Sequence, residues 1–201
     1  MLHKIFAYLY AKSRAFAPWS CFFSPRPDIV SGFQRWKWLV QMRRSGRHMD
    51  PSIEIRCSSD FSHRLKVDRG AALDKGSILW LGDECGEQGN ITIHSNAYIG
   101  PYCFLGSCHD LEIGENTMIG GHSYLITVNH RTDRTDVAFT EQGYMGDSIR
   151  LGKNVWLGAH VVVLPGVDIG DNAVIGAGAV VTKNVPAGET WVGVPAAPLM
   201  K

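Results

Sequence analysis

The chain has 201 residues, a formal net charge of +1 and 45% hydrophobic residues. That suits one folded domain with an appendage, excludes a disordered chain, and gives no global charge argument for nucleic acid as a partner. The five cysteines (Cys21, Cys57, Cys85, Cys103, Cys108) form no CxxC pair and no disulfide-style spacing, which points to a reducing cytoplasm and free thiols.

Residues 1–50 read as an N-terminal segment that is basic and rich in aromatics. Before Met49 it carries Lys4, Lys12, Arg14, Arg26, Arg35, Lys37, Arg43, Arg44 and Arg47 against Asp28 alone. Leu2 to Phe16 predicts a helix, whose apolar run Ile5 to Ala11 reads as retained, because no small-residue cleavage pattern follows it. Pro18, Pro25 and Pro27 punctuate the chain. Phe33, Trp36, Leu39 and Val40 against Arg35, Lys37, Gln41 and Arg44 predict a second, amphipathic helix. Two readings stay open: the helices cap the end or flank of the domain that follows, or a basic aromatic surface docks on anionic lipid or a lipid-linked substrate. No stretch is long enough to span a bilayer.

Residues 51–192 carry a period of six. Ile53 and Ile55 begin extended structure, and Val67 with Ala71, Leu73 with Ser77, and Leu81 with Cys85 read as irregular first turns. A turn is expected at Gly86 to Gly89. The register becomes clear at Ile93 with Ala97, Ile99 with Cys103, and Leu105 with His109. It slips at Asp110 to Glu112 and resumes with Ile113 and Thr117, Ile119 and Ser123, and Leu125. Residues 130–148 lose the repeat and read as a polar loop extruded from one corner, of the kind that is often functional.

From Leu151 to Val185 the repeat is strict. Every sixth residue is aliphatic (Leu151, Leu157, Val163, Ile169, Ile175, Val181), and four residues after each comes a small or β-branched residue (Val155, Val161, Val167, Ala173, Ala179, Val185). Neither a helix of period 3.6 nor a simple strand of period 2 repeats this way. A short strand followed by a sharp corner does, with both residue classes pointing inward. Three such hexads close one triangular turn, and stacked turns bury a continuous core.

This register resembles the hexapeptide-repeat acyltransferases over about the last two-thirds of the chain. The resemblance implies an all-β solenoid, a left-handed parallel β-helix with the N-terminal helical segment and the one extruded loop added. Residues 193–201, with Gly-Val-Pro-Ala at Gly193 to Ala196, resemble the segment that closes the helix in these enzymes. The similarity extends to the maltose and galactoside O-acetyltransferases and to bacterial surface-polysaccharide O-acetyltransferases. It implies acetyl-CoA as co-substrate, no metal, and a homotrimer with active sites between subunits.

His130 stands where the repeat gives way to the loop, which is where the saccharide O-acetyltransferases place their general base. An imidazole with an ordinary pKa near 6.5 suits the task of taking a proton from a sugar hydroxyl. Tyr144 occupies the place where relatives carry an acidic or apolar residue. Glu141, Asp133, Asp136, Asp147 or a backbone carbonyl are the candidates to orient His130. Asn154 to Ala159 resembles the family's "vWIG" segment, which implies that Trp156 and Gly158 line the pantetheine channel and that the Ala159 N–H meets the thioester carbonyl. Gly176 to Lys183 resembles the "GAGsVVTKd" signature. It implies coenzyme A contacts at Ala177, Gly178, Thr182 and Lys183. Tyr102 and Ser107 are acceptor-pocket candidates beside Tyr144. His122 and His160 fall on outward positions and read as surface or cleft-lining.

The expected activity is therefore acetyl-CoA-dependent O-acetyl transfer to a saccharide, a surface-polysaccharide unit (O-antigen, capsule or exopolysaccharide), by an enzyme of the cytoplasm or the inner membrane face. A sugar N-acetyltransferase or an antibiotic-modifying acetyltransferase shares the chemistry. A γ-class carbonic anhydrase shares the fold but binds zinc through three histidines, and the closest pair here, His122 and His130, is not its spacing. A non-enzymatic scaffold would need none of these motifs.

Overall fold

The computed structural model describes residues 32–57, 60–82 and 88–199. The expected helix Leu2 to Phe16, Cys21 and Cys85 lie outside the described residues, as does the first half of the expected turn at Gly86 to Gly89. Among the described residues one α-helix, α1 (Gly32–Arg44), precedes the strands. These are β1 (His48–Met49), β2 (Glu54–Arg56), β3 (Leu65–Val67), β4 (Ala72–Leu73), β5 (Ile78–Leu81), β6 (Ile91–Ile93), β7 (Tyr98–Ile99), β8 (Phe104–Ser107), β9 (Leu111–Ile113), β10 (Met118–Ile119) and β11 (Tyr124–Ile126). They continue as β12 (Val128–His130), β13 (Tyr144–Gly146), β14 (Ile149–Leu151), β15 (Trp156–Leu157), β16 (Val162–Val163), β17 (Asp168–Ile169), β18 (Val174–Ile175), β19 (Val180–Val181), β20 (Thr190–Val192) and β21 (Ala197–Pro198).

The strands form three sheets that the chain visits in fixed rotation. The first runs β1-β4-β7-β10-β15-β18-β20-β21, the second β2-β5-β8-β11-β16-β19 and the third β3-β6-β9-β14-β17. Pairing is parallel throughout, apart from β21 folding back on β20 and the separate hairpin β12/β13. Each residue of the six-fold pattern thus stacks on its counterpart one circuit away. Ile99, Ile119, Leu157, Ile175 and Trp191 align in the first sheet. Leu79, Leu105, Leu125, Val163 and Val181 align in the second, and Val67, Ile93, Ile113, Leu151 and Ile169 in the third. The strict aliphatic series and its partners four residues on are all buried. Burying each Leu, Ile or Val stabilises the fold by about 1.5–3 kcal/mol relative to exposure.

Polar residues at inward corner positions satisfy themselves between circuits. Ser77 donates to Gly100 O (3.0 Å) and Thr117 to Gly152 O (2.8 Å), and the Ser123 hydroxyl accepts the Val161 N–H of the next circuit (3.2 Å). A buried hydroxyl without such a partner would destabilise the core. Cys103 packs the same position as a small hydrophobe, and its burial pushes the thiol pKa up to about 11.

The ends of the sheets are closed differently. At the N-terminal end α1 buries Trp38 and Leu39, with Trp38 edge-on to Phe61. Arg35 donates to Ile53 O (3.2 Å), Arg43 to Met49 O (2.7 and 3.0 Å) and Arg47 to Val67 O (2.5 Å). These guanidinium groups cover carbonyls at a sheet end, where unpaired backbone groups are costly. At the C-terminal end Trp191 and Ala196 are buried, and Ala196 N–H donates to Val180 O (2.8 Å).

Three expectations are corrected. Leu105 is followed inward by Ser107 and Cys108 rather than by His109, which is half-buried, so the slip begins two residues earlier than its spacing suggests. Residues 130–148 are not structureless. They form the hairpin β12/β13, with a short 3-10 turn at Phe139–Glu141. Cys108 is disulfide-bonded, against the expectation of free thiols; Cys57 and Cys103 form no disulfide. Thiol spacing along the chain carries no information about which residues the fold brings together. No helix among the described residues is long and apolar enough to cross a membrane.

Candidate active site

The chain makes a different corner at each change of sheet. Between the second and third sheets lie the longer connections, residues 57–64, 82–90 and 127–148. The last is the hairpin that carries His130. Its root is held by Thr127, whose hydroxyl accepts the N–H groups of Cys108 (2.9 Å) and His109 (3.0 Å) on the preceding circuit. His130 pairs across the hairpin with Tyr144, and their rings lie 4.6 Å apart, tilted by 37°.

None of the candidate carboxylates orients His130 within one chain. Asp136 is paired with Arg134 (2.5 and 3.1 Å), and that hydrogen bonding holds its carboxyl below the ordinary aspartate range. Asp147 accepts from Ser148 N–H (2.7 Å). Among the described residues no ion pair joins Asp133 or Glu141 to the imidazole. Tyr144 is the side chain that His130 meets.

The corner between the first and second sheets carries the other half of the candidate residues. Trp156 projects outward from β15 and is 53% exposed. Ala159 is exposed at the corner itself. Its carbonyl accepts from Gly178 N–H (2.9 Å), while its own N–H has no hydrogen-bond partner among the described residues. The N–H of Ala177, one circuit on, is in the same state. Gly158 permits this close stacking, since a Cβ there would meet the Ala177 backbone N at 2.6 Å. Gly178 has φ +72°, and a Cβ there would meet nothing within 4 Å. Thr182 and Lys183 follow β19 and are exposed at the second-to-third corner.

This backbone fits a slender thioester arm. It offers small residues, an outward indole and unpaired N–H groups in a row, with a lysine further on as a point charge for a phosphate. Trp156, Ala159, Ala177 and Gly178 stand on a different corner from His130, whereas Thr182 and Lys183 stand at the second-to-third corner from which the hairpin springs. The second sheet lies between the two corners, presenting Tyr124, Val162 and Val180 outward. Among the described residues no hydrogen bond or ion pair joins His130 to Trp156, Ala159, Thr182 or Lys183.

The acceptor candidates also divide. Tyr102 is half-exposed at the first-to-second corner, with φ 57°. Tyr144 accompanies His130. Ser107 faces the interior, fully buried, and its hydroxyl has no hydrogen-bond partner among the described residues. It does not open on either surface.

Sequence reasoning missed a column of rings. Tyr102, His122 and His160 occupy the same corner position on successive circuits, with φ of 57°, 60° and 58°. Tyr102 and His122 stack at 5.2 Å and 22°, and His122 and His160 at 5.0 Å and 7°. The signal was available: each residue directly precedes the small inward residue of its hexad. His122 is therefore stacked at the first corner while His130 sits at the second, so the two do not form a pair. Among the described residues no group of three His, Cys, Asp or Glu is arranged to hold a metal.

The family described as bacterial transferase hexapeptide (six repeats) matches residues 148–183. The chain is 33% identical over 143 residues to galactoside O-acetyltransferase of Escherichia coli (strain K12), covering 67% of this chain and 69% of that protein. The structure is similar to that of a maltose O-acetyltransferase from Clostridium difficile 630, with 28% identity and a TM-score of 0.51 over 68% of this chain and 66% of that one. It is also similar in fold to an N-acyltransferase from Bacillus cereus solved with dTDP and 3-hydroxybutyryl-CoA, with 16% identity and a TM-score of 0.60 over 86% of this chain and 88% of that one.

Proposed function

The chain belongs to the hexapeptide-repeat family of acetyltransferases, and we propose that it transfers acetyl from acetyl-CoA to a hydroxyl of a saccharide. The observation that carries this reading is the division of the site between two corners of one chain. His130 stands on the hairpin, and Trp156 and the unpaired Ala159 N–H stand across the second sheet from it. Such halves are complementary when copies of the chain stand side by side, the hairpin of one reaching the first corner of the next. A homotrimer of left-handed β-helices, with one site in each cleft, meets that need. The outward column Tyr98, Met118 and Trp156 on the first sheet supports it, because contiguous exposed apolar surface marks contact sites.

In this reading coenzyme A runs along the first corner, past Trp156, Gly158, Ala159, Ala177 and Gly178, with Thr182 and Lys183 toward its nucleotide end. The Ala159 N–H carries the charge that develops on the thioester carbonyl oxygen. His130 takes the acceptor's proton as its oxygen forms the ester bond and the carbon–sulfur bond breaks. The imidazolium then returns that proton to the departing thiolate. Holding donor and acceptor in one cleft supplies much of the rate by orientation. Tyr144 keeps the ring in place where relatives use other residues.

A sugar unit destined for a surface polysaccharide, made at the cytoplasmic side of the membrane, fits this chemistry. Direct lipid contact through residues 32–47 has less support, because Arg35, Arg43 and Arg47 are engaged on backbone carbonyls.

The experiment is thiol release from acetyl-CoA over a panel of glycosides, nucleotide sugars, amino sugars and serine, with His130→Ala beside the wild type. Release should depend on one saccharide class, and His130→Ala should lower kcat about 10²- to 10⁴-fold with coenzyme A binding retained. An amine as the preferred acceptor would move the reading to N-acetyl transfer. Unchanged turnover in His130→Ala would remove His130 as the base.

A further inference from the structure

The hairpin that carries His130 is joined to the body of the molecule at one place. Among the described residues, residues 128–146 hydrogen-bond only to one another. Where the chain leaves the second sheet stands Thr127, three residues before His130 and fully buried. Its N–H donates to Gly106 O (3.1 Å), and its carbonyl accepts from Asp147 N–H (3.1 Å), where the returning strand ends. Its hydroxyl accepts the N–H groups of Cys108 (2.9 Å) and His109 (3.0 Å). One residue thus ties both ends of the hairpin to residues 106–109 of the preceding circuit.

The returning strand rests on the same place. A Cβ at Gly146 would meet the Thr127 carbonyl oxygen and the His109 ring, with Cδ2 at 2.9 Å, so β13 lies directly against both. A hydroxyl at position 127 is not a demand of the repeat. Following the register of the second sheet, its counterparts on the two preceding circuits are Ser107 and Leu81. Leu81 fills the place with a buried aliphatic side chain, and the Ser107 hydroxyl has no hydrogen-bond partner among the described residues. Of the three, Thr127 is the one whose side chain bonds to neighbouring backbone, and it is the one from which the hairpin starts. Branching at Cβ holds the direction of its hydroxyl.

We propose that Thr127 is a positioning residue for the catalytic base: its hydroxyl sets the angle at which β12 leaves the second sheet, and so the place of the His130 imidazole. This rests on the reading of His130 as the base. A base must come within hydrogen-bonding reach of the acceptor hydroxyl, and a misplacement of about 1 Å can cost about 100-fold in rate. A hairpin that bonds only to itself beyond its root converts a small change at the root into such a shift at His130.

The test is steady-state kinetics of the full-length protein with acetyl-CoA and the methyl glycosides of galactose, glucose and N-acetylglucosamine. Thr127→Val keeps the shape and removes the hydroxyl. It should lower kcat about 10- to 100-fold and leave the acetyl-CoA KM within about twofold, because Trp156 and Ala159 lie at another corner. Thr127→Ser keeps the hydroxyl and should recover kcat to within about threefold. In a His130→Ala background Thr127→Val should cost less than about twofold more, since a residue that acts through the base has nothing left to act on. Ser77→Ala removes another buried hydroxyl, which accepts Cys103 N–H (3.3 Å) and donates to Gly100 O (3.0 Å) at the first-to-second corner. It should lower the denaturation midpoint as Thr127→Val does, with kcat within about twofold. Gly146→Ala acts from the other strand by pushing β13 off the His109 ring. It should also lower kcat without moving the acetyl-CoA KM, and it decides the matter if Thr127→Val does not fold. Wild-type kcat in folded Thr127→Val or in Gly146→Ala, an equal loss in Ser77→Ala, or a fully additive loss in the His130→Ala background would each overturn the positioning role. With His130→Ala impaired and Thr127→Val at wild-type kcat, this inference alone falls. Unchanged turnover in His130→Ala takes the reading of the base down first.

Discussion

Two corners of this molecule bend the backbone alike and are built from different chemistry. At the third-to-first corner the left-handed positions are asparagines, whose amides bond between circuits: Asn96 to Asn116 at 3.3 Å and Asn154 to Asn172 at 2.8 Å. At the first-to-second corner the same positions are rings that stack. Asparagine bonds the circuits together and leaves only more amide at the surface. The ring column also ties circuits together, but it stands beside the unpaired N–H groups of Ala159 and Ala177. The difference separates a corner that serves the fold from the corner along which the reading above lays coenzyme A.

The core beneath both corners is shared, so the largest stability effect should be indifferent to the comparison. Leu157→Ala, fully buried between Ile119 and Ile175, should destabilise by about 2–5 kcal/mol in denaturant unfolding, from lost burial and the cavity left behind. A smaller effect should come from Asn116→Val. It removes the amide and puts a β-branched residue at φ 59°, at a cost of about 1–2 kcal/mol. The smallest should have the opposite sign. Tyr102→Asn puts the preferred residue type into the ring corner and should raise stability by up to about 1 kcal/mol, while weakening the column on which His160 rests. A loss of stability in Tyr102→Asn as large as that of Asn116→Val would mean that the rings are structural after all.

Much of the architecture was legible along the chain. From Leu151 to Val185 the hexad is uninterrupted, and each inward residue it marks is buried. Its legibility has a local cause: identical short circuits put the same demand on the same position every six residues. Before Ile93 and around Asp110 connections of unequal length break the period, and the burial of Ser107 and Cys108 in place of His109 is not visible from spacing. His130 and Trp156 could be marked by their motifs, since each is defined by its immediate neighbours. That they stand on opposite edges of the second sheet could not.

The sequence by itself determined the repeat, the three-sheet rotation that follows from it, and which side chains point inward, because these depend on neighbours a few residues apart. The family to which the chain belongs follows from the same local pattern. Tertiary structure alone decided what residues distant in sequence do together. It turned residues 130–148 into a hairpin that sets His130 against Tyr144, spent Arg35, Arg43 and Arg47 on sheet-end carbonyls, and placed Cys108 in a disulfide. It also stacked Tyr102, His122 and His160 into one column, although the hairpin separates the last two along the chain. The physical reason is that stacking between circuits follows hydrogen-bonded register, which skips over any insertion, whereas sequence spacing counts every residue of it.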